Sequence, residues 1–491
     1  MKHKKVWKLI LLVSALCLLQ PPARARADYR YDWFGNTMPS QYSYVAEEAY
    51  NGRQLGIGDL NNPMDLFVDH NSLIYILDSG NSRVVVLNEE FELIKIIDSF
   101  RLDGREESIT GAEGIFVHTD GCLYIADKAN QRVIVADDAG EIRRVIARPE
   151  SDLFGASVPF LPRKVIVDSR NIVYILSENS NQGAYMIDEA GRFLGFYGRN
   201  KVVLTLRRLF ELTLRNFASE EQRQRMQNFI PVEFANFDID EEGFVYTVTA
   251  YSDDPSEDDM IKKLNPLGKN ILDGWYLWGD MPDFSGEDVR WLTVYVDLDV
   301  DENHFIYALD KGNKRIYQYD NTGGQLAIFG GSGSTLGRFL NPVAIETLHG
   351  RILVLDNTKK NITVFEPTYF GELSIKAFSL FEDGYYKESK ELFEEIVKMD
   401  GNFEWALLGL GMAYYEEGDF KTAKYYFERS EVAPHYYSEV KKELRNEWMR
   451  EHFVFLFFGL ILLVFVMTVV TRIISAKVQD MNKRSIVKED K

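Results

Sequence analysis

The chain has 491 residues, 46% of them hydrophobic, and a formal net charge of −19 at pH 7. This length allows two or three domains with packed cores. Nucleic-acid binding requires a concentrated excess of Lys and Arg, so the acidic balance argues against that class of protein.

The N-terminus has the three parts of a secretory signal peptide. The cationic stretch MKHKKVWK precedes the apolar run LILLVSALCLL, and the small residues of ARA come directly before Asp28. A membrane helix is the alternative, but the apolar run is short and ends at Pro21 and Pro22. We predict cleavage after Ala27. Cys122 is then the only cysteine of the mature chain, which permits no internal disulfide.

A second apolar segment, Phe453–Thr471, contains no charged residue. As a helix it would be about 28 Å long, enough to cross a bilayer. Basic residues follow it, and the positive-inside rule therefore predicts a cytoplasmic tail over 472–491. The sequence predicts a single-pass cell-membrane protein, of bacterial type, whose residues 28–452 lie outside the cytoplasm.

Six similar units of strand-forming sequence occupy residues 62–367. Each alternates short runs rich in Val, Ile, Tyr and Phe with turns of Asp, Asn and Gly. Repeats of about forty residues with four strands each are typical of a β-propeller. We therefore predict a mainly β fold with six blades. The units begin near Asn62, Gly111, Leu161, Glu233, Val296 and Leu340.

Three units share an Asp followed by an Asn-x-Arg-apolar pattern, in SGNSRVVV, KANQRVIV and KGNKRIYQ. This pattern resembles the NHL-repeat family of propellers, over roughly Asn62–Pro367; Ser177 and Thr249 replace the Asp in two other units. We expect a structural role, since Asp can cap the N–H groups of a turn and Arg can bond to that carboxylate. The residues are Asp78, Asn81, Arg83, Asp127, Asn130, Arg132, Asp310, Asn313 and Arg315.

The sixth unit contains only three strands before Pro367 breaks the pattern. A blade without its outer strand would leave an open sheet edge. The segment YSYVAEE, Tyr42–Glu48, precedes the first unit and alternates like a strand. We predict that it supplies the missing strand, so that the N-terminal segment 28–61 closes the ring.

Residues 370–450 have a helical period. Two helix pairs align at an offset of 34 residues, with Gly384 matching Gly418 and Phe393 matching Phe427. AYYEEGDFKTAKYYFERSEVAP resembles a tetratricopeptide repeat, and SLFEDGYYKESKELFEEIVKMD is similar to a second copy. Such repeats bind partner segments in a groove, although a spacer between propeller and membrane would fit equally well.

An insertion at 201–229 interrupts the propeller between its third and fourth units. KVVLTLRRLFELTLRNF has helical spacing, and SEEQ is a capping box. The insertion is basic in an acidic protein, through residues that include Arg207, Arg208 and Arg215. Two helices packed on the rim with a solvated face explain this charge. The alternative is a partner-binding surface.

Some six-bladed propellers are lactonases or lyases that hold a metal at the mouth of the central channel. Aligning the units places Asp65, Glu113, Lys164, Asn236, Asp297 and Ala344 at that mouth, with Arg163 adjacent. Three carboxylates and an amide could hold Ca²⁺, but Lys164 and Arg163 add positive charge and no histidine aligns with the ring. We expect ligand binding at this mouth, without a catalytic residue, a metal or another cofactor.

The favoured function is a membrane-anchored, extracytoplasmic binding or scaffold protein with protein or small-ligand partners. The architecture resembles propeller proteins of bacterial envelopes that accompany transport systems, so an integral membrane complex is a candidate partner. The alternative is a metal-dependent enzyme, lactonase-like or lyase-like. Some cytoplasmic NHL proteins bind RNA or act as ubiquitin ligases. Those roles require a basic face or a zinc-binding module, and this sequence contains neither.

The predicted topology can be tested with a reporter that is active only outside the cytoplasm. Fused after Glu451, the reporter should be active, because the segment before the span is exported. Fused at Lys491, the same reporter should be silent. The reverse pattern would contradict the single-pass arrangement.

Overall fold

The computed structural model describes residues 28–32, 34–149, 160–178, 180, 182–198, 233–249, 260–272, 278–280, 292–430 and 434–489. The chain divides into two compact units, one ending at Ser379 and the other starting at Leu380. The predicted signal peptide and the basic insertion with Arg207, Arg208 and Arg215 lie outside the described residues.

The first unit confirms the predicted six-bladed β-propeller. Six antiparallel sheets follow one another along the chain, and the innermost strand of each contacts those of its two neighbours, the sixth returning to the first. The first three blades comprise β4 (Pro63–Val68), β5 (Ile74–Asp78), β6 (Arg83–Leu87) and β7 (Leu93–Ile97); β10 (Gly114–Val117), β11 (Leu123–Asp127), β12 (Arg132–Ala136) and β13 (Ile142–Ile146); and β14 (Pro162–Val167), β15 (Val173–Ser177), β16 (Ala184–Ile187) and β17 (Phe193–Tyr197).

The other three blades complete the circle. They comprise β18 (Phe234–Ile239), β19 (Val245–Thr249) and β20 (Ile261–Leu264); β21 (Tyr295–Val300), β22 (Ile306–Asp310), β23 (Arg315–Tyr319) and β24 (Gln325–Gly330); and β25 (Pro342–Leu348), β26 (Arg351–Asp356) and β27 (Asn361–Pro367) with β3 (Tyr44–Asn51). Two small hairpins lie outside the blades: β1 (Tyr29–Tyr31) with β2 (Thr37–Pro39), and β8 (Phe100–Leu102) with β9 (Arg105–Glu107). Apolar side chains between adjacent blades form the core.

Strand β3 is the outermost strand of the sixth blade. It pairs antiparallel with β27, from Tyr44 opposite Pro367 to Asn51 opposite Asn361. The N-terminal segment and the last repeat thus share one sheet, and β27 is not left as an open sheet edge. The observed strand begins two residues later than the segment selected from the sequence and extends to Asn51.

The Asp-Asn-Arg pattern forms a local clasp at the end of the second strand. Asp78 is completely buried and accepts hydrogen bonds from Asn81 Nδ2 and Arg83 Nε, both at 2.7 Å, and from the backbone N–H of Asn61. Asp127, Asn130 and Arg132 repeat the carboxylate–amide–guanidinium contacts in the second blade. In the third blade Ser177 takes the place of the Asp and accepts the N–H of Leu161 through Oγ.

The fifth blade uses the same residues differently. Asp310 still accepts hydrogen bonds from Asn313 Nδ2 and from the N–H of Val294. Arg315, however, pairs with the buried Asp280 at 2.8 Å and contacts Tyr29 of the N-terminal hairpin. The Arg of this repeat therefore joins the N-terminal segment to the blade, a role that the repeat pattern alone does not indicate.

Four blades share a second clasp, which the sequence analysis did not identify. Asp69 Oδ1 accepts the N–H groups of Asn71 and Leu73 in the turn between the first two strands, and Oδ2 accepts the hydroxyl of Tyr75 at 3.2 Å. The same carboxylate-to-tyrosine contact recurs six residues apart in the pairs Asp168 with Tyr174, Asp240 with Tyr246 and Asp301 with Tyr307. An Asp followed six residues later by a Tyr is therefore a sequence pattern that indicates this turn.

The chain then becomes helical. The helices are α1 (Tyr369–Glu382), α2 (Tyr386–Met399), α3 (Glu404–Glu416), α4 (Phe420–Ser430) and α5 (Pro434–Glu489). In the second unit, Gly409 and Gly411 of α3 lie against the rings of Phe393 and Phe427, where a Cβ would overlap the rings. The helical part fits the expectation, whereas assignment to the tetratricopeptide family stays a prediction.

Helix α5 is 56 residues long. Its first turns pack on α4, where Val440 is completely buried beside Phe427. Within the described residues, the segment Tyr436–Val478 is a helix long and apolar enough to cross a membrane. Because the helix continues without interruption from Val440 to the start of the predicted span at Phe453, about 20 Å of rigid helix separates the two points.

Replacing Tyr44 tests the closure of the ring. Its ring stacks on Phe329 at 4.8 Å and its hydroxyl hydrogen-bonds to that of Tyr307 at 2.9 Å. Tyr44→Ala should lower the free energy of unfolding of the propeller by about 3–5 kcal/mol in a denaturant titration, because a buried aromatic is lost.

The matched control is Val45→Ala, which changes an exposed position on the same strand and should alter stability by no more than about 0.5 kcal/mol. Deleting Tyr42–Glu48 should destabilise the propeller more than Tyr44→Ala does. Equal stability of the deleted and intact chains would show that β3 is dispensable.

Candidate functional site

The innermost strands place one residue of each blade at an equivalent position facing the channel. Asp65, Lys164, Asn236 and Asp297 each follow a register shift near the start of their strand and pair with a residue of the second strand. Ala344 occupies this position in the sixth blade. These five of the six predicted mouth positions therefore belong to one ring of side chains.

The second blade differs from the alignment made on the sequence. Gly114, not Glu113, pairs with Ala126, which is the partner position equivalent to Leu77 opposite Asp65. A Cβ on Gly114 would overlap the carbonyl oxygen of Arg163, so this position admits only glycine. Gly114 lies thirteen residues before Asp127, as Asp65 lies before Asp78, so the alignment made on the sequence was one residue out.

Glu113 belongs to a separate ion-pair network between the second and third blades. Its carboxylate contacts Lys128 Nζ at 2.7 Å and Arg163 Nε at 3.1 Å. Lys128 also pairs with Glu178. Glu113 and Arg163 are therefore engaged with each other and lie outside the ring of side chains that faces the channel.

Lys164 bridges the ring from one side to the other. From the third blade, its amino group contacts Asp65 of the first blade and lies 3.8 Å from Asp297 of the fifth. These three blades alternate around the ring and are not neighbours, so the contacts must cross the central channel. The ammonium group of Lys164 therefore lies near the propeller axis.

The ring carboxylates also connect adjacent blades. Asp65 Oδ2 accepts the N–H of Ile115 in the second blade, and Asp297 Oδ2 accepts the N–H of Ile345 in the sixth, both at 2.8 Å. The innermost strand has no further strand beside it, so its inward N–H groups need other acceptors. Each of these carboxylates supplies one for the blade that follows it.

A second layer of side chains lies two residues further along the same strands. On one side it is apolar, and on the other it carries three carboxyl groups. Asp299 Oδ2 accepts the N–H of Thr347 at 2.7 Å, and Glu346 Oε2 accepts that of Val68 at 2.9 Å. The layer consists of Phe67, Phe116, Ile166, Asp238, Asp299 and Glu346.

The sequence analysis did not identify this acidic layer, although the strand pattern indicates it. In strands of period two, the residues at i and i+2 face the same side. NFDI, DLDV and AIET place Asp238, Asp299 and Glu346 two positions after the ring residues. The prediction considered only the ring residue of each strand.

Burial shifts the pKa values of the channel carboxyl groups upward. It raises the pKa of Asp297 to about 7 despite the nearby charge of Lys164. It raises the pKa values of Asp238 and Glu346 well above their ordinary range, and neighbouring carboxylates add to both shifts. Burial acts to lower the pKa of Lys164, but Asp297 and Asp65 outweigh it and the net pKa is raised. Lys164 is therefore a cation at neutral pH.

The residues at the mouth do not fit a resident metal ion. Within the described ranges, no group of three or more His, Cys, Asp or Glu side chains is arranged to hold one. The ammonium group of Lys164 lies against the carboxylates, and Asn236 Oδ1 accepts the N–H of its neighbour Phe237 at 2.8 Å. A Ca²⁺ ion needs six or more oxygen ligands turned towards one point, and a fixed ammonium there repels it.

No protein-family model matches the chain, and no curated protein matches it. A solved streptogramin B lyase is similar at 13% identity and a TM-score of 0.40, over 71% of this chain and 89% of that one. The virginiamycin B lyase of Staphylococcus aureus is similar at 11% identity and a TM-score of 0.40, over 65% of this chain and 98% of that one. A gluconolactonase of Xanthomonas campestris is similar at 10% identity and a TM-score of 0.39, over 71% of this chain and 99% of that one.

Fold and site together define a class of protein. It is a six-bladed propeller followed by helices, one of them apolar enough to span a membrane. An ion pair crosses its channel at the ring of first-strand side chains.

Removing the charge of Lys164 should destabilise the propeller strongly. Lys164→Met leaves Asp65 and Asp297 buried without their cation, and breaking a buried pair from one side costs about 3–5 kcal/mol. The measurement is the free energy of unfolding of the propeller. The additional change Asp65→Asn should recover part of the loss, because it removes one of the uncompensated charges.

Arg163→Met is the matched control. It removes a neighbouring cation whose side chain is 37% exposed, and its loss should not exceed about 1 kcal/mol. Equal losses for the two variants would show that Lys164 does not neutralise the channel.

Proposed function

We propose that the protein is a membrane-anchored, extracytoplasmic binding or scaffold protein rather than an enzyme of its channel. The supporting observation is the position of Lys164, whose ammonium group contacts Asp65 and approaches Asp297 across the axis. Metal-assisted hydrolysis needs an open coordination position where water or substrate can bind. Here an internal cation already neutralises the oxygens that such a metal would use.

The proposed anchor is helix α5, with the propeller exported by a signal peptide cleaved after Ala27. The apolar side chains from Phe453 onward are exposed along the helix, as expected for a surface that faces lipid. The basic tail after this segment supports a cytoplasmic C-terminus. The propeller and the helical repeats would then share the extracytoplasmic side.

The proposed partner is an integral membrane protein, such as a component of an envelope transport system. Val440 is fixed against α4, and the same helix enters the apolar segment about 20 Å further on. A partner that contacts helices α2 to α4 must therefore extend to within about 20 Å of the apolar segment. If these helices are tetratricopeptide repeats, they would hold a segment of that partner in their groove.

The alternative, a lactonase-like or lyase-like enzyme, predicts a different response to metal removal. In a binding protein, treatment of the purified full chain with a chelator should leave the melting temperature unchanged, because no bound ion stabilises the native state. In a metal enzyme, the chelator should lower the melting temperature, and elemental analysis should find a stoichiometric divalent ion. The second outcome would overturn the proposal.

The binding surface can be sought in the same preparation. Replacing residues 201–229 by a short loop should abolish cross-linking to a membrane partner while leaving the unfolding of the blades unchanged. The control replaces the exposed Arg192 by Ala on the same propeller and should preserve the cross-link. If the shortened chain still cross-links, the insertion is a solvated addition to the rim.

A further inference from the structure

Helix α5 carries a cluster of basic side chains in the turns that precede its apolar segment. Lys441, Lys442 and Arg445 are all exposed, and Arg445 lies four residues after the first and three after the second. Within the residues that the structure describes, none of the three forms an ion pair with a carboxylate. Like charges at these spacings repel each other, so an anion beside the cluster would stabilise the helix.

The acidic residues of the same turns lie on a different side of the helix. Glu439, Glu443 and Glu447 are four residues apart and form a stripe of their own. At 100° per residue, each of them is about 120° or more from Arg445 around the helix axis. A third side, with Val440, packs against α4. The exposed charges of α5 are therefore separated by sign.

Two aromatic side chains extend the basic side towards the apolar segment. Arg445, Trp448 and His452 lie within about 60° of one another around the axis. The rings of Trp448 and His452 are stacked, with centroids 4.8 Å apart, and His452 Nδ1 donates to the carbonyl oxygen of Trp448 at 2.9 Å. Trp448 is 51% exposed. Its indole N–H has no acceptor among the described residues and is available to an outside oxygen.

The position of these residues along the helix matches the headgroup layer of a bilayer. Counted from Phe453, the Cα atom of Trp448 lies about 8 Å along the axis and that of Arg445 about 12 Å. The headgroup layer on each side of a bilayer is about 5–8 Å thick. Trp448 and His452 therefore lie at headgroup depth. Arg445 lies at the outer edge of this layer, where its long side chain can place the guanidinium near the phosphates.

We propose that the basic-aromatic face of α5, formed by Lys441, Lys442, Arg445, Trp448 and His452, binds the phosphate group of anionic phospholipids at the membrane surface. This inference rests on the proposed function, because it requires α5 to be the membrane anchor. The guanidinium of Arg445 can donate two parallel hydrogen bonds to phosphate oxygens. The indole N–H of Trp448 donates to an oxygen of the same headgroup, while its ring lies against the acyl chain below.

The other sides of α5 do not offer the same site. Arg450 lies at headgroup depth, but its neighbours Glu447 and Glu451 are both acidic. Excess positive charge near the membrane surface is therefore confined to the basic-aromatic face. Choline headgroups carry a positive charge that this face repels, whereas phosphatidylglycerol carries only the phosphate charge. The face should consequently distinguish anionic lipids from zwitterionic ones.

The test places the purified full chain in vesicles of phosphatidylcholine and phosphatidylglycerol, with one of the two lipids brominated on its acyl chains. Bromine quenches only nearby indoles, so the difference between wild type and Trp448→Phe isolates the fluorescence of Trp448. Phosphatidylglycerol should associate with this site about fivefold more strongly than phosphatidylcholine, the preference expected for one cation near the surface. At roughly 1 M salt the Debye length is about 3 Å, and the preference should fall towards one.

Arg445→Gln should lower this preference several-fold. The matched control, Lys421→Gln, removes the same charge from an exposed position on α4 and should keep the wild-type preference. Inorganic phosphate at constant ionic strength should also leave it unchanged, because the lipid is held by the bilayer as well as by its charge. Displacement by inorganic phosphate would assign the site to a free anion and overturn the proposal.

Two further outcomes would contradict lipid binding at this face. One is equal association of the two lipids with the wild-type chain, and the other is an Arg445→Gln variant that keeps the wild-type preference. Failure of the anchor itself is a separate result, because the chain would then not float with the vesicles in a density gradient. A chain that floats but shows no preference would refute the lipid site alone.

Discussion

The inward edge of the innermost strands is the constraint on which the propeller depends. Six such strands converge on the axis, where no further strand can satisfy their N–H groups. Carboxylates of the preceding blade supply acceptors at Ile115, Ile345, Thr347 and Val68. This solution connects the blades, but it concentrates acidic groups in a buried channel. The ammonium group of Lys164, which contacts Asp65 and approaches Asp297, offsets part of that charge.

At the periphery of the propeller, the polar contacts lie within single blades. There the clasps are local: an Asp at the end of the second strand holds Asn and Arg within five residues, and an Asp in the preceding turn holds a Tyr six residues away. Each clasp fixes its own hairpin and can vary without disturbing the ring. Arg315 illustrates this variation, because it pairs with Asp280 and contacts Tyr29 of the N-terminal hairpin.

The sequence allowed prediction of the features that depend on local patterns. Period-two alternation and regular spacing gave six blades, and the interrupted sixth unit indicated that an earlier strand must complete it. Features that depend on register were harder. Gly114 lies thirteen residues before Asp127, as Asp65 lies before Asp78, yet the alignment made on the sequence placed Glu113, one residue earlier, in the ring. The contact of Lys164 with two non-adjacent blades was also beyond sequence patterns, because nothing local specifies which way a long side chain crosses a channel.

The channel chemistry sets binding and metal catalysis against each other. Neutralising Lys164 would not by itself create a metal site, since Asp65 and Asp297 each also accept a backbone N–H that joins two blades. Turning those oxygens towards an ion would leave Ile115 and Ile345 without acceptors, at a cost of about 1–3 kcal/mol for each buried N–H. The second and sixth blades contribute only Gly114 and Ala344 to the ring, so no side chain there can replace the lost ligands. The groups that hold this ring closed are the ones a catalytic metal would need, so the outer surfaces of the propeller and helices α2 to α4 are the better candidates for a functional surface.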